Sequence, residues 1–134
     1  MEKDEAVASV GYQVSGKGPG YKKLQVWQEA DKFAMQIYSI TKKFPKNEMY
    51  GLTSQLRRAA LAVPTNIVEG QALPSKKDFR RFLSIANGSL AEAEYLLSVA
   101  RELEYIDNKI FIPLSNQQSL TARLLNGLIK SIII

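Results

Sequence analysis

The sequence predicts an all-α protein, an antiparallel up-and-down four-helix bundle with one kinked helix. Apolar residues recur at helical spacing in four long stretches, and Pro and Gly mark short connections between them. No segment shows a convincing strand pattern. A chain of 134 residues is long enough for one domain with a real core. Four amphipathic helices with short connections favour antiparallel neighbours.

The chain is expected to divide into a flexible leader over residues 1–20 and the bundle over residues 21–134. Gly and Pro cluster where the leader ends, at Gly16, Gly18, Pro19 and Gly20, and no helical period precedes them.

The first helix is predicted from about Tyr21 to Lys43, where Pro45 stops it. Its apolar face comprises Trp27, Ala30, Ala34, Ile37 and Thr41. We interpret Trp27 as a core residue, because large aromatic side chains mostly serve burial.

The second helix is predicted from about Glu48 to Ala72 and carries two stripes. The apolar stripe is Leu52, Leu56, Ala59, Ala60, Val63 and Ile67, and the polar stripe is Gln55, Arg58, Ala62, Asn66 and Glu69. Pro64 lacks an amide donor and clashes with the carbonyl of Ala60, which predicts a kink. Arg58 and Glu69 lie three turns apart, so each is expected to pair with another helix or subunit.

The third helix has a clear start, because Ser75 can cap its first turn and Asp78 completes a capping box. It is predicted to run to about Leu103, with a core stripe of Phe79, Phe82, Leu83, Ala86, Leu90, Ala93, Leu97 and Ala100. Gly88 is unfavourable inside a helix. With Ser84 and Ala91 it forms a strip of small residues, which predicts the close approach of a neighbouring helix.

The last helix begins either near Asp107 or at Pro113, and the sequence leaves both starts open. Its predicted core seam is Leu114, Leu120, Leu124, Leu128 and Ile132. The apolar residues Ile132 to Ile134 are expected to pack against the bundle or a neighbour.

Composition argues against an enzyme. The chain has no His and no Cys, so the commonest general base, the commonest metal ligand and the thiolate nucleophile are missing. We therefore expect no catalytic residues, no metal and no cofactor. The apolar runs are too short to cross a bilayer and no signal peptide is evident, which predicts a cytoplasmic protein without a membrane partner.

Positive charge is concentrated in the middle of the chain. The net charge is +5, and residues 42–81 alone hold nine basic residues against three acidic ones. Such a concentration favours a polyanionic partner. The candidate nucleic-acid-binding residues are Lys76, Lys77, Arg80 and Arg81, which open the third helix, together with Arg57, Lys42 and Lys43. A solvated basic face without a ligand is the alternative.

Several segments follow a known family pattern in order. They are Leu24 to Ala30, Phe44-Pro45, Tyr50 to Gly70, Asp78 to Ala86 with Gly88-Ser89-Leu90, and Ala100 to Leu103. The chain resembles the bacterial four-helix-bundle proteins encoded in intervening sequences of 23S ribosomal RNA genes. Asn87 departs from the pattern, because a basic residue is usual there, and the leader has no recognised counterpart.

The resemblance implies a non-enzymatic bundle, commonly a homopentameric ring. Its architecture is similar to that of accessory proteins of diversity-generating retroelements, which bind a reverse transcriptase and nucleic acid. We therefore expect a homo-oligomer that binds nucleic acid, with RNA favoured, through its basic surface. The alternative is a structural adaptor oligomer that docks a protein partner such as a reverse transcriptase.

Overall fold

The computed structural model describes residues 20–134, and the predicted leader therefore lies outside the described residues except for Gly20. Four α-helices follow one another: α1 (Gln25–Thr41), α2 (Leu52–Ala72), α3 (Lys76–Glu102) and α4 (Asn108–Ser131). Two short 3-10 helices, Gly20–Lys23 and Lys46–Glu48, precede α1 and α2. No strand occurs among residues 20–134, so the predicted all-α four-helix class is confirmed.

Contacts at the two ends of the bundle show how the helices are arranged. At one end, the backbone of Gly20 lies against the side chain of Gln71, Gly70 lies against Phe79 and Phe82, and Arg80 reaches the carbonyl of Ile132. At the other end, Arg57 contacts Thr41 and the side chain of Tyr105 contacts Glu48 and Phe44. Consecutive helices therefore run in opposite directions. We call the first end the terminal end and the second the loop end.

The core is built from the apolar faces that the sequence indicates. Every member of the predicted α2 stripe is buried, and the α3 stripe is buried apart from the half-buried Phe82. Trp27 is half-buried against the core and meets Tyr21 edge-to-face, with ring centroids 5.0 Å apart. Pro64 lies inside α2 and is buried, with its ring on the core side of the helix.

Two predicted helix starts are wrong by several residues. Leu24 has an extended backbone, with φ −81° and ψ 125°, so α1 begins at Gln25 although a 3-10 turn precedes it. Gly51 has φ −115° and ψ −115°, which separates the 3-10 turn at Lys46–Glu48 from α2. The apolar period continues through both breaks, which is why the sequence pattern joined them.

The start of α4 resolves in favour of Asp107. Its carboxylate accepts a hydrogen bond from the Ile110 amide at 3.1 Å, an N-cap contact, and Pro113 lies inside the helix. The core seam also differs from the prediction, because Leu120 and Leu124 are only half-buried, whereas Thr121 and Leu125 are fully buried. Thr121 is tolerated there because its hydroxyl donates to the carbonyl of Gln117 at 2.8 Å.

The small-residue strip on α3 does not receive a helix of its own chain. A methyl group added at Gly88 would meet nothing within 4 Å, and Ser84 and Ala91 are exposed. The close approach occurs instead at Gly70, where an added methyl group would lie 2.8 Å from Cβ of Phe82 and 3.3 Å from the carbonyl oxygen of Phe79. The contact between α2 and α3 therefore depends on Gly70.

Candidate nucleic-acid interface

The first two turns of α3 present four basic side chains at the terminal end. The helix begins there because the Ser75 hydroxyl accepts a hydrogen bond from the Asp78 amide at 3.2 Å. With that start fixed, the spacing along α3 leaves Lys76, Lys77, Arg80 and Arg81 exposed. Asp78 is the only acidic residue of α3 before Glu92. The cluster therefore keeps a positive excess at a helix end that itself favours anions.

The two arginines of this cluster are held by the fold, whereas the two lysines extend into solvent. Arg80 Nη1 donates to the carbonyl oxygen of Ile132 at 3.4 Å, which joins the start of α3 to the end of α4. Arg81 lies 3.7 Å from the Asp78 carboxylate, and its guanidinium stacks 4.7 Å above the Phe82 ring. Both arginine side chains are thus oriented near the surface without being buried.

The structure does not bring the remaining predicted binding residues to this cluster. Lys42 and Lys43 lie at the loop end, separated from Lys76 by the length of α2, and Arg57 lies in the second turn of α2 at the same end. A helix of 21 residues is about 30 Å long, so one small ligand site cannot include both groups. The sequence places these charges close together along the chain, but the α2 helix carries them to opposite ends of the bundle.

The Arg57 side chain bonds to α1 and is not free on the surface. Its Nε donates to the Thr41 hydroxyl at 2.7 Å, and Nη2 donates to the Tyr38 carbonyl at 3.4 Å. The guanidinium also stacks 4.9 Å above the Tyr38 ring. Arg57 is half-buried and caps the last turn of α1, where a cation is favourable.

The polar stripe of α2 faces away from the core. Gln55, Arg58 and Glu69 are exposed, and Asn66 is half-buried with its amide donating to the Ala62 carbonyl at 2.8 Å. Arg58 and Glu69 make no hydrogen bond or ion pair within residues 20–134, so neither pairs with another helix of this chain. Pairing with another subunit stays a prediction.

Sequence reasoning missed two exposed cations on α4, the helix beside α3: Lys130 lies near the start of α3, and Arg123 lies further along the bundle. Arg123 and Lys130 lie on the half of α4 that ends beside Arg80. A second contact joins the helices further along, where the Asn87 amide donates to Asn126 Oδ1 at 3.3 Å. The available signal was that the α4 sequence contains no acidic residue.

The loop end has its own polar network. The Tyr105 hydroxyl donates to Glu48 Oε2 at 2.7 Å, and the Leu52 amide donates to Glu48 Oε1 at 3.1 Å. The Tyr105 hydrogen bond, followed by the Leu52 amide, lowers the pKa of Glu48 below its ordinary value. The same hydrogen bond to Glu48 raises the pKa of Tyr105. This network fixes the loop before α2 against the α3–α4 turn.

A shallow, open depression lies beside this network at the α3–α4 turn. Its lining includes Arg101, Glu102, Glu104, Tyr105 and Asp107. Across residues 20–134, no group of three or more Asp, Glu, His or Cys residues is placed to hold a metal ion. Nor does any helix in that range combine the length and apolarity needed to span a bilayer.

Fold and charge together define a class: a small all-α bundle with an exposed basic cluster at one end. A family model described as 23S rRNA-intervening sequence protein matches residues 22–127. The chain therefore belongs to the family of 23S rRNA-intervening sequence proteins.

A solved structure supports this assignment. The chain is similar to a protein of unknown function from the S23 ribosomal protein family of Bacteroides thetaiotaomicron, with 26% sequence identity and a TM-score of 0.73. The similarity covers 78% of this chain and 95% of the other. No curated protein matches this chain.

Proposed function

We propose that this protein is a non-enzymatic homo-oligomer that binds nucleic acid, with RNA favoured, through the basic cluster at the start of α3. The observation that carries the proposal is the exposure of Lys76, Lys77, Arg80 and Arg81 within two helical turns at one end of the bundle. Cations clustered in this way neutralise successive phosphates and release the counterions condensed on them. The affinity is therefore salt-dependent and tolerant of sequence.

RNA is favoured over DNA because the family takes its name from 23S ribosomal RNA. A non-enzymatic role is supported by the absence of His and Cys from the whole sequence, which removes the residue types most used in acid–base and thiol catalysis. The side chains at the basic cluster are suited to binding phosphate and offer no nucleophile activated by a neighbouring base.

The binding proposal is tested by charge reversal at two positions that make no contact needed by the fold. We expect Lys76→Glu with Lys77→Glu to abolish salt-sensitive retention of structured RNA in a fluorescence-anisotropy titration. The matched control is Lys42→Glu with Lys43→Glu, which reverses an exposed lysine pair at the loop end and should bind as the parent protein does. Equal loss in both variants would point to total charge instead of a site. A parent protein that shows no salt-sensitive binding would overturn the proposal.

The homo-oligomer is supported by surface features that one chain leaves uncovered. Leu61 and Ile85 are exposed at 39% and 44% on neighbouring helices, and Gly88 has open space where a helix could approach. The polar stripe of α2 adds Arg58 and Glu69, which make no hydrogen bond or ion pair within residues 20–134. The family resemblance implies a pentamer. Multi-angle light scattering at micromolar concentration should give a mass several times 15.0 kDa, whereas a stable monomer would refute the assembly.

A protein-docking adaptor is the second candidate, favoured by the loop end. Tyr50 is 94% exposed and Met49 is 55% exposed, on a loop whose flanking residues Glu48 and Phe44 both contact Tyr105. Exposed aromatic and Met side chains are typical of protein-binding surfaces. A photo-crosslinker introduced at Tyr50 should then capture one defined protein in cells, and the Lys76→Glu, Lys77→Glu variant should retain it. A failure to crosslink any protein at this position would count against the adaptor.

A further inference from the structure

The basic surface continues beyond the start of α3 along the face that α3 shares with α4. Lys76, Arg80, Ser84 and Asn87 follow one another at steps of three and four residues, so they form one row on α3. Arg123, Asn126 and Lys130 form a second row on α4 by the same spacing. We call the two rows together the α3–α4 strip.

Two contacts establish that the rows lie side by side. Arg80 reaches the Ile132 carbonyl at 3.4 Å near the terminal end, and Asn87 bonds Asn126 at 3.3 Å further along. The contacts advance seven residues along α3, from Arg80 to Asn87, while they go back six along α4, from Ile132 to Asn126, as expected for antiparallel neighbours. The strip is therefore continuous from the end of the bundle to its middle.

The two rows of the strip together contain four cations and no carboxylate. Arg123 and Lys130 are exposed, and α4 has no acidic residue that could neutralise them. Between the cations lie Ser84, Asn87 and Asn126, whose side chains can donate and accept hydrogen bonds. Gly127 adds open space, since a methyl group there would meet nothing within 4 Å. From Lys76 to Asn87 the strip extends about 16 Å at 1.5 Å per residue.

No aromatic side chain along the strip offers a stacking surface for unpaired bases. Phe79 is buried, and Phe82 is half-buried beneath the Arg81 guanidinium. The most exposed aromatic residues among residues 20–134 are Tyr50 at 94% and Tyr95 at 67%, and both lie toward the loop end. Single strands are held largely by stacking of bases on aromatic rings, whereas duplexes present phosphates and 2′-hydroxyls.

We infer that the α3–α4 strip binds the backbone of double-stranded RNA, with Arg123 and Lys130 as phosphate contacts beside those of α3. The inference rests on the proposed function and specifies the form of nucleic acid and two further residues. Lysine and arginine contact phosphates along a strand, while the Asn and Ser side chains reach phosphate or 2′-hydroxyl oxygens. Recognition is independent of base sequence, because phosphates and 2′-hydroxyls are the same at every base pair.

The test compares the affinity of the full chain for an RNA duplex of about 20 base pairs with that for a single strand of the same length. We expect the duplex to bind at least about tenfold more tightly, with a slope of log K against log salt of about −5 for six phosphate contacts. Arg123→Glu with Lys130→Glu should reduce the magnitude of that slope by about 2. The matched control is Lys109→Glu, an exposed cation of the same helix at the loop end, which should leave the slope unchanged.

Each outcome separates this inference from the proposed function. If the α4 variant binds the duplex as the parent does while Lys76→Glu with Lys77→Glu has lost binding, the strip is wrong and the α3 cluster stands. Equal affinity for duplex and single strand would overturn the assignment of double-stranded RNA. Unchanged circular dichroism and light scattering of the α4 variant would show that fold and assembly are retained.

Discussion

The two ends of the bundle carry similar numbers of basic residues but use them differently. At the loop end, Arg57 bonds Thr41 and stacks on Tyr38, and the Arg101 guanidinium lies 3.9 Å above the Phe111 ring. At the terminal end, Lys76 and Lys77 extend into solvent. Glu102, Glu104 and Asp107 also offset charge at the loop end. Exposed lysines occur at both ends, since Lys42 and Lys43 are exposed at the loop end, so the ends differ mainly in the acidic residues that offset this charge at the loop end.

The ends are also held together by different forces. The terminal end depends on close packing of α2 against α3 at Gly70, while the loop end depends on hydrogen bonds and ring contacts around Glu48 and Tyr105. Close packing is sensitive to added side-chain volume. Polar contacts that solvent can reach are sensitive to pH and contribute less to the free energy of unfolding. Four substitutions probe this contrast.

The largest effect on stability is expected for Gly70→Ala. The added methyl group would lie 2.8 Å from Cβ of Phe82 and close to the Phe79 backbone, so α2 and α3 must separate. Because the Phe82 Cβ and the Phe79 carbonyl cannot move aside, the overpacking cost lies toward the upper end of about 1 to 3 kcal/mol, well above the gain of about 1 kcal/mol in helix propensity. Chemical denaturation should show a net loss of stability. Gly88→Ala is the control, because open space there leaves only the propensity gain. A stabilised Gly70→Ala would refute the close-packing account.

At the loop end, Arg57→Ala should destabilise the fold by about 1 to 2 kcal/mol. The substitution removes hydrogen bonds to Thr41 and the Tyr38 carbonyl, together with the contact to the Tyr38 ring. The adjacent, exposed Arg58 provides the control, and Arg58→Ala should change the stability of the isolated chain by less than about 0.5 kcal/mol. Equal effects of the two substitutions on urea midpoints would show that Arg57 has no special role.

A smaller, stabilising effect is expected for Glu104→Gly. Glu104 has φ 63° in the turn after α3, where the Glu104 amide bonds the Arg101 carbonyl and the Tyr105 amide bonds the Ala100 carbonyl. These two bonds form the helix-ending motif that usually has Gly at this position. Removing the side chain relieves a left-handed strain of about 1 kcal/mol, partly offset by the greater freedom of Gly when unfolded. Thermal melting should show a modest rise, and Glu102→Gly, inside the helix, should show a fall.

The smallest effect is expected for Tyr105→Phe, and it depends on pH. In the parent protein, the hydrogen bond from Tyr105 lowers the pKa of Glu48 in the folded state. The bond therefore stabilises the fold fully above the ordinary carboxyl pKa, and this stabilisation is lost as the pH falls through the lowered pKa. At the alkaline side, the raised pKa of Tyr105 means that the contribution is lost again when the phenol ionises. The melting temperature of the variant should therefore be below that of the parent at about pH 7, and the difference should shrink as the pH falls below the ordinary carboxyl pKa and through the lowered one. A constant difference across that range would exclude Glu48 as the cause.

Much of the fold could be predicted from local pattern. The α2 stripe from Leu52 to Ile67 is entirely buried, and the Ser75 cap begins α3 where the sequence placed it. These features depend on spacing within one helix, which the sequence contains directly. The breaks at Leu24 and Gly51 were missed, because the apolar period passes through them and only backbone angles reveal the interruption. The buried polar residue Gln117 was missed because its partner, the Glu29 carbonyl, lies on another helix, whereas the Thr121 hydroxyl bonds within α4 to the Gln117 carbonyl.

The candidate site also divides into features that the sequence predicts and features that depend on tertiary packing. The sequence by itself determined the helical class, the cluster of Lys76, Lys77, Arg80 and Arg81, and the absence of His and Cys, because composition and spacing within one helix suffice for these. Only the tertiary structure decided that Lys42, Lys43 and Arg57 belong to the opposite end, and that Arg123 and Lys130 lie beside α3. The physical reason is that antiparallel packing separates residues that are close along the chain and joins residues that are 39 to 52 positions apart.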